Sequence, residues 1–182
     1  MNDYLKPSFS RKVPSGDTHG RNVCDHCDFI HYENPKIVVG SVVRQSGKVL
    51  LCRRAIEPRR GFWTIPAGYL ELHETPEDGA RREAMEEANA DLRLDSLLAV
   101  YTVERLSQVQ LIYRAGLNSP EFSAGEESLE VDLFEWDQIP WLEIAFPTVL
   151  WALNHDRGVE AGSIFAPLKN PQDGDTDLKS MM

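Results

Sequence analysis

The sequence lacks a long apolar run, an even set of cysteines and an excess of positive charge, and each absence excludes something. No stretch of its 182 residues approaches the roughly 20 apolar residues that span a bilayer. Met1 to Pro14 is polar and has no apolar core of the signal-peptide kind, so the expected compartment is the cytoplasm and no membrane partner is expected. Three cysteines, Cys24, Cys27 and Cys52, cannot form a paired disulfide framework. Cys52 lies in the apolar run Val49–Leu50–Leu51–Cys52 and reads as a small buried hydrophobe. Only 19 Lys and Arg stand against 29 Asp and Glu, a net charge of −10, which argues against a nucleic-acid partner. A phosphorylated small molecule remains compatible with that charge, because divalent cations invert the local field of an acidic site.

What is present is a globular composition of one-domain size, 42% hydrophobic and 26% charged. Residues 1–23, rich in Pro, Ser, Gly and charge, read as a loosely ordered arm leading to Cys24–Asp25–His26–Cys27, and Asn34–Pro35 marks a turn. The β-branched run Ile37–Val43 suits a buried strand that pairs with Val49–Arg53 across Ser46–Gly47, and Trp63–Ile65 is a short extended piece. Thr75 can cap a helix with Pro76 at its first position and Glu77 and Asp78 in its first turn. Ala80, Ala84, Met85 and Ala88 supply that helix with an apolar side. Ser96–Glu104, Gln108–Leu117 and Ser128–Trp136 read as strands, Phe146–His155 as a second helix, and the chain from Gly158 as a poorly ordered tail. This order implies one α/β layered domain around a mixed sheet. The expected division is an arm over 1–34, a catalytic domain over 35–157 and a flexible tail over 158–182.

The chemistry concentrates between Gly68 and Ala90. Glu83, Glu86 and Glu87 stand at i, i+3 and i+4, within about a 100° arc of the expected helix. Like charges so spaced repel by a few tenths of a kcal/mol. Taken alone, the trio reads as a solvated acidic face, paired with Arg81 and Arg82. The surroundings favour another reading. Gly68 offers a backbone carbonyl that a metal can approach closely, and Glu74 is placed to pair with Arg82. Carboxylates on one face are the ligands Mg²⁺ uses when it bridges protein to phosphate.

These residues resemble the Nudix box, G-x5-E-x7-R-E-U-x-E-E-x-G-U, where U is aliphatic. Gly68, Glu74, Arg82, Glu83, Glu86 and Glu87 match its six fixed positions before the final glycine. Chance agreement in such a chain is of order 10⁻⁵ at ~5–7% usage per residue type. Asn89 replaces the final glycine, at a helix end where a left-handed backbone is common and Asn is tolerated next best. Ala84 and Ala90 are small for their aliphatic positions.

The resemblance implies a Nudix fold, a mixed sheet sandwiched between helices, and a pyrophosphatase cutting the diphosphate of a nucleoside-diphosphate derivative. It further implies Mg²⁺ or Mn²⁺ held by Glu83, Glu86, Glu87 and the Gly68 carbonyl. Arg82 would orient the glutamates and Glu74 brace Arg82. The general base would be Glu83, or Glu127 or Glu126 from the loop Ser123–Ser128.

The similarity runs from about Cys24 to His155, through His31–Lys36, Arg53–Pro58 and Ile139–Pro140–Trp141, towards a group acting on FAD, ADP-ribose or NADH. Arg53, Arg54 and Arg59 are candidate phosphate contacts, and Trp63 and Phe146 candidate stacking partners for a base. Ser107–Gln108 continues into the plain strand Val109–Ile112 where NADH pyrophosphatases carry a Pro-Trp-Pro array, so FAD and ADP-ribose rank ahead of NADH. Cys24 and Cys27 are half of a zinc ribbon. His19, His26 and His31 offer to complete a Zn²⁺ site, but a degenerate ribbon packing without metal is the favoured outcome. The alternative to an enzyme is a metabolite-sensing Nudix module. A homodimer is expected from resemblance alone.

Overall fold

A computed structural model describes residues 6–160 and 162–171. The chain divides into two compact units, Met1–Pro35 and Lys36–Met182.

In the first unit, β1 (Phe9–Lys12), β2 (Arg21–Cys24) and β3 (Ile30–His31) form an antiparallel sheet in the order β1-β2-β3. Strands thus stand where composition suggests a loose arm. Their side chains are mostly polar and only Val23 and Cys24 are buried, so they carry little apolar alternation to read, and side-chain bonding supports them as well. The Asp25 carboxylate accepts from Ser8 Oγ at 2.8 Å and pairs with Lys12 Nζ at 3.2 Å. Hydrogen bonds from Ser10, Ser8 and Lys12 hold its pKa down at about 2. Arg21 pairs with Asp17 at 2.8 Å and lies over the Tyr32 ring.

The second unit is built on a mixed sheet. Its main path runs β10 (Ser128–Phe134), β5 (Lys48–Arg54), β4 (Lys36–Gln45), β9 (Gln108–Leu117), β8 (Leu92–Val103). β4 and β9 are parallel, and the other pairs on this path are antiparallel. The β4–β5 hairpin pairs only at Arg44↔Val49 and Gln45↔Lys48, around left-handed Ser46 and Gly47. Beyond those pairs the two strands part. Into the opening come β6 (Trp63–Thr64), paired with β5, and β7 (Ala67–Tyr69), paired with β4. Gly68 is thereby carried into the sheet opposite Val39.

Helix α1 (Pro76–Ala88) begins as its residues require. Thr75 Oγ1 accepts from Asp78 N at 3.2 Å, and Pro76 occupies the first turn, where its missing N–H costs nothing. The helix ends on Asn89, left-handed at φ 46° and ψ 35°. Gly79, Ala80, Glu83, Ala84, Glu87 and Ala88 form its buried stripe, and their small members let the helix lie close to β4 and β7. Met85, expected on the apolar side, is instead exposed.

Helix α2 (Pro147–Gly158) covers the opposite face of the sheet. Val149, Leu150 and Leu153 pack there with Val42, Leu51, Leu98 and Tyr101. Asp156 on α2 is buried between Arg44 of β4 and Arg114 of β9. Beyond α2 the chain meets the sheet again at Leu168 and Asn170. Leu168 bridges Ala99, and Asn170 bonds both backbone groups of Thr102. Of the expected flexible tail over 158–182, residues 161 and 172–182 lie outside the described residues.

Candidate active site

A cavity of about 740 Å³ opens beside α1, within the range of small-molecule sites. Its lining includes Gly68, the charged residues Arg82, Glu83, Glu86, Glu87 and Glu127, and apolar ones, Ile65, Ile112, Phe146, Val149 and Trp151 among them.

The acidic side chains are organised by Arg82. Its Nε and Nη2 donate to the two carboxylate oxygens of Glu74 at 3.0 and 2.7 Å, and Nη2 also reaches the Tyr69 carbonyl at 2.9 Å. Its third nitrogen, Nη1, donates to Glu83 at 2.7 Å and to Glu86 at 2.9 Å. Glu74 also accepts from the Glu71 N–H at 2.7 Å. The Arg82 guanidinium, aided by that N–H, lowers the Glu74 pKa to about 2. One guanidinium thus ties the β7–α1 loop to the helix and borders the carboxylates.

The three box glutamates are not equivalent. Glu83 and Glu87 are 8% and 5% exposed, whereas Glu86 lies towards solvent. Burial raises the Glu83 pKa despite the opposing pull of Arg82. Burial likewise raises that of Glu87 to about 8, opposed by the Ala67 N–H that donates to Glu87 Oε2 at 3.1 Å. Glu83 and Glu127 add repulsion in the same direction. Two carboxylates kept from water beside further acids are short of positive charge.

Gly68 meets Glu83 from the sheet side, and its neighbour Ala67 meets Glu87. A Cβ on Gly68 would overlap the Glu83 carboxylate, so only glycine brings the backbone this near. The donor set, all oxygen and rich in carboxylate, suits a hard divalent cation. Among the described residues, no three His, Cys, Asp or Glu side chains already stand in a metal-ligating arrangement. Arg82 Nη1 lies between Glu83 and Glu86 and serves as their counter-ion.

Of the other residues the sequence singles out, Arg54 lines the cavity. Its Nε donates to the Pro58 carbonyl at 2.8 Å, and its guanidinium lies over the Phe146 ring. Arg53 turns away, donating to the Gly61 carbonyl at 2.9 Å and pairing weakly with Glu130. Trp63 is buried against Phe134 in the core and is not among the lining residues. Arg59 stacks on Phe62. In the first unit, Cys24 is buried and Cys27 exposed, both as free thiols. Gln108, Gln110, Arg105 and Trp151 line the cavity without having been singled out. Gln108, Gln110 and Ile112 do alternate along β9, a signal visible once the side of the sheet facing the cavity is known.

A layered α/β domain with a glutamate-bearing helix on a split mixed sheet is the architecture of a Nudix-type hydrolase fold. The NUDIX domain family profile matches residues 34–151, and the Nudix N-terminal profile, the zinc-ribbon type, matches residues 7–33. The chain belongs to the Nudix family and is a Nudix hydrolase. It is similar to a NUDIX hydrolase of Nitrosomonas europaea, with a TM-score of 0.83, 41% identity, and coverage of 92% of this chain and 97% of that one. It is 28% identical over 115 residues to an ADP-ribose pyrophosphatase of Methanocaldococcus jannaschii, covering 61% of this chain and 68% of that protein. It is 30% identical over 121 residues to an NAD-capped RNA hydrolase of Photorhabdus laumondii, where it spans 65% of this chain but 46% of that protein.

Proposed function

We propose that the chain is a divalent-metal-dependent pyrophosphatase of nucleoside-diphosphate derivatives, with ADP-ribose and FAD ahead of NADH. The observation that carries this reading is the burial of Glu83 against Gly68 and of Glu87 against the Ala67 N–H, on the wall of a cavity that apolar side chains also line. The names of the two curated relatives favour the ADP-ribose and NAD-derived part of the substrate range.

Glu83, Glu86, Glu87 and the Gly68 carbonyl would hold Mg²⁺ or Mn²⁺, which when bound supplies charge neutralisation of the diphosphate and activation of water. Arg82 keeps its grip on Glu74 through Nε and Nη2, which leaves Nη1 as the arm that orients Glu83 and Glu86. Glu127, facing Glu83 and Glu87, is the preferred acceptor of the proton from the attacking water, with Glu83 the alternative. Arg54 and the apolar walls would position the two halves of the substrate. Little covalent chemistry is asked of the protein, whose work is placement and charge compensation. Zn²⁺ at Cys24 and Cys27 is not part of this reading. A cytoplasmic homodimer is, and light scattering on the purified protein tests the assembly.

The test is incubation with Mg²⁺ and FAD, ADP-ribose, NADH or nucleoside triphosphates, with products separated by chromatography and Glu87→Gln run alongside. Release of AMP from ADP-ribose or FAD, lost in chelator and in the variant, supports the reading. Metal-dependent binding without cleavage across the whole panel replaces it with the metabolite sensor.

A further inference from the structure

The box helix ordinarily closes on glycine, and here it closes on Asn89. The backbone at that position is left-handed, which glycine adopts at lower cost. Conformation therefore does not account for asparagine. The side chain has another use: Asn89 Nδ2 donates to Ser123 Oγ at 3.0 Å, and at 3.3 Å to the carbonyls of Ser123 and Ala124.

The loop so gripped also docks through its backbone on the last turn of α1. Ser123 N donates to the Ala88 carbonyl at 2.9 Å and Gly125 N to the Glu87 carbonyl at 3.0 Å. Gly125 lies so near the Glu86 carbonyl that a Cβ would overlap it. Two residues on, Glu127 lines the same cavity as Glu83 and Glu87. The Asn89 amide adds a side-chain tie to these backbone bonds, on the stretch that leads into Glu127. A glycine in the same place offers no such donor.

We propose that Asn89 is a positioning residue of this active site: its amide clamps the 123–127 loop to the last turn of α1 and so holds the Glu127 carboxylate against Glu83 and Glu87. The catalytic half of this inference rests on the pyrophosphatase reading, and the clamp itself does not.

Asn89→Gly is the informative variant, because it keeps the helix end favourable while removing the donor. Asn89→Asp keeps the size and replaces the donor with a repelled acceptor. Hydrogen exchange read at the Ser123 and Gly125 amides should quicken about ten-fold or more in both variants, with the melting temperature of Asn89→Gly unchanged or raised. With Mg²⁺ and the substrate identified above, kcat should fall by about ten- to a hundred-fold with KM within about two-fold, the signature of a displaced group rather than a lost binding contact. Asn89→Gly combined with Glu127→Gln should be no slower than Glu127→Gln alone. Wild-type exchange at Ser123 and Gly125 in Asn89→Gly overturns the clamp. Losses that multiply in the double variant overturn its link to Glu127. If the unaltered protein cleaves nothing in the panel, the pyrophosphatase reading has failed, and the exchange measurement still decides the clamp.

Discussion

Arg82 holds Glu74 across the start of α1 by two hydrogen bonds, 3.0 and 2.7 Å long, and spends its remaining nitrogen on Glu83 and Glu86. A planar fork is needed for this, since a lysine ammonium cannot hold both oxygens of Glu74 and still span two more carboxylates. Arg82→Lys should therefore lose about ten- to a hundred-fold in metal-supported activity, as partners that orient metal ligands generally do. Glu74→Gln should lose activity in the same direction by a smaller factor. Titration of activity with Mn²⁺ checks both, and a lysine variant with unchanged metal dependence would sink this account of Arg82.

Gly68→Ala places a methyl group where the Glu83 carboxylate lies. The expected cost is about 1–3 kcal/mol of folding stability, as for other overpacked sites, together with loss of turnover. Denaturant unfolding and the ADP-ribose assay, run on one preparation, separate the two effects. An alanine variant of full activity would show that Gly68 and Glu83 are not in contact during the reaction.

Glu87 makes the metal-free protein sensitive to alkali. Its pKa, raised to about 8 by burial, lies above the 4.5 of an unburied glutamate, so the folded protein binds this proton more tightly than the unfolded chain. Its contribution to folding is complete below about pH 4.5 and is lost as pH rises through about 8. In chelator, the unaltered protein should lose on the order of a few kcal/mol relative to Glu87→Gln between pH 5 and pH 8.5. Mg²⁺ should restore stability at the alkaline end by mass action on the folded state. Parallel stability curves for the two proteins would contradict the assignment.

Asp156 is 1% exposed and accepts from Arg44 and, at 2.7 Å, from Arg114. Arg114 also reaches the Val159 and Glu160 carbonyls at 3.3 Å, so the end of α2 is tied to β4 and β9 by one cluster. Asp156→Ala leaves two cations without their anion and should cost about 3–5 kcal/mol. Urea unfolding monitored by tryptophan fluorescence measures it. A loss below about 1 kcal/mol would mean that water replaces the carboxylate, as at an exposed ion pair.

The first unit presents a different expectation. Asp25, with Ser8 and Lys12, fastens β1 to the Cys24–Cys27 turn, which is work that a metal does in a complete ribbon. Purified protein should carry no stoichiometric zinc by elemental analysis, and Asp25→Ala should weaken protection of the Cys24 amide. One zinc per chain, released by modifying Cys24 and Cys27, would reverse that expectation.

Where structure depends on neighbours in the chain, the sequence was readable. Thr75, Pro76 and Asn89 announce both ends of α1 by local capping chemistry, and β9 falls on Gln108–Leu117 as its apolar alternation indicates. The carboxylate spacing was legible for the same reason. Its unequal burial was not: the sheet lies under Glu83 and Glu87 but leaves Glu86 and Met85 outside, and helical periodicity does not say where a sheet will be. Trp63 and Arg53 point away from the cavity because of how β6 pairs with β5, a contact between segments about ten residues apart. Gln110 and Trp151 reach one cavity from a central strand and a helix far along the chain, which no local pattern reveals.

The parting of β4 from β5 beyond Arg44 leaves room for β6 and β7, so the sheet itself delivers the Gly68 backbone to the Glu83 carboxylate. A free loop could drift from the helix it faces, whereas a strand bonded along β4 keeps its place, and insertions in the outlying turns leave that meeting undisturbed.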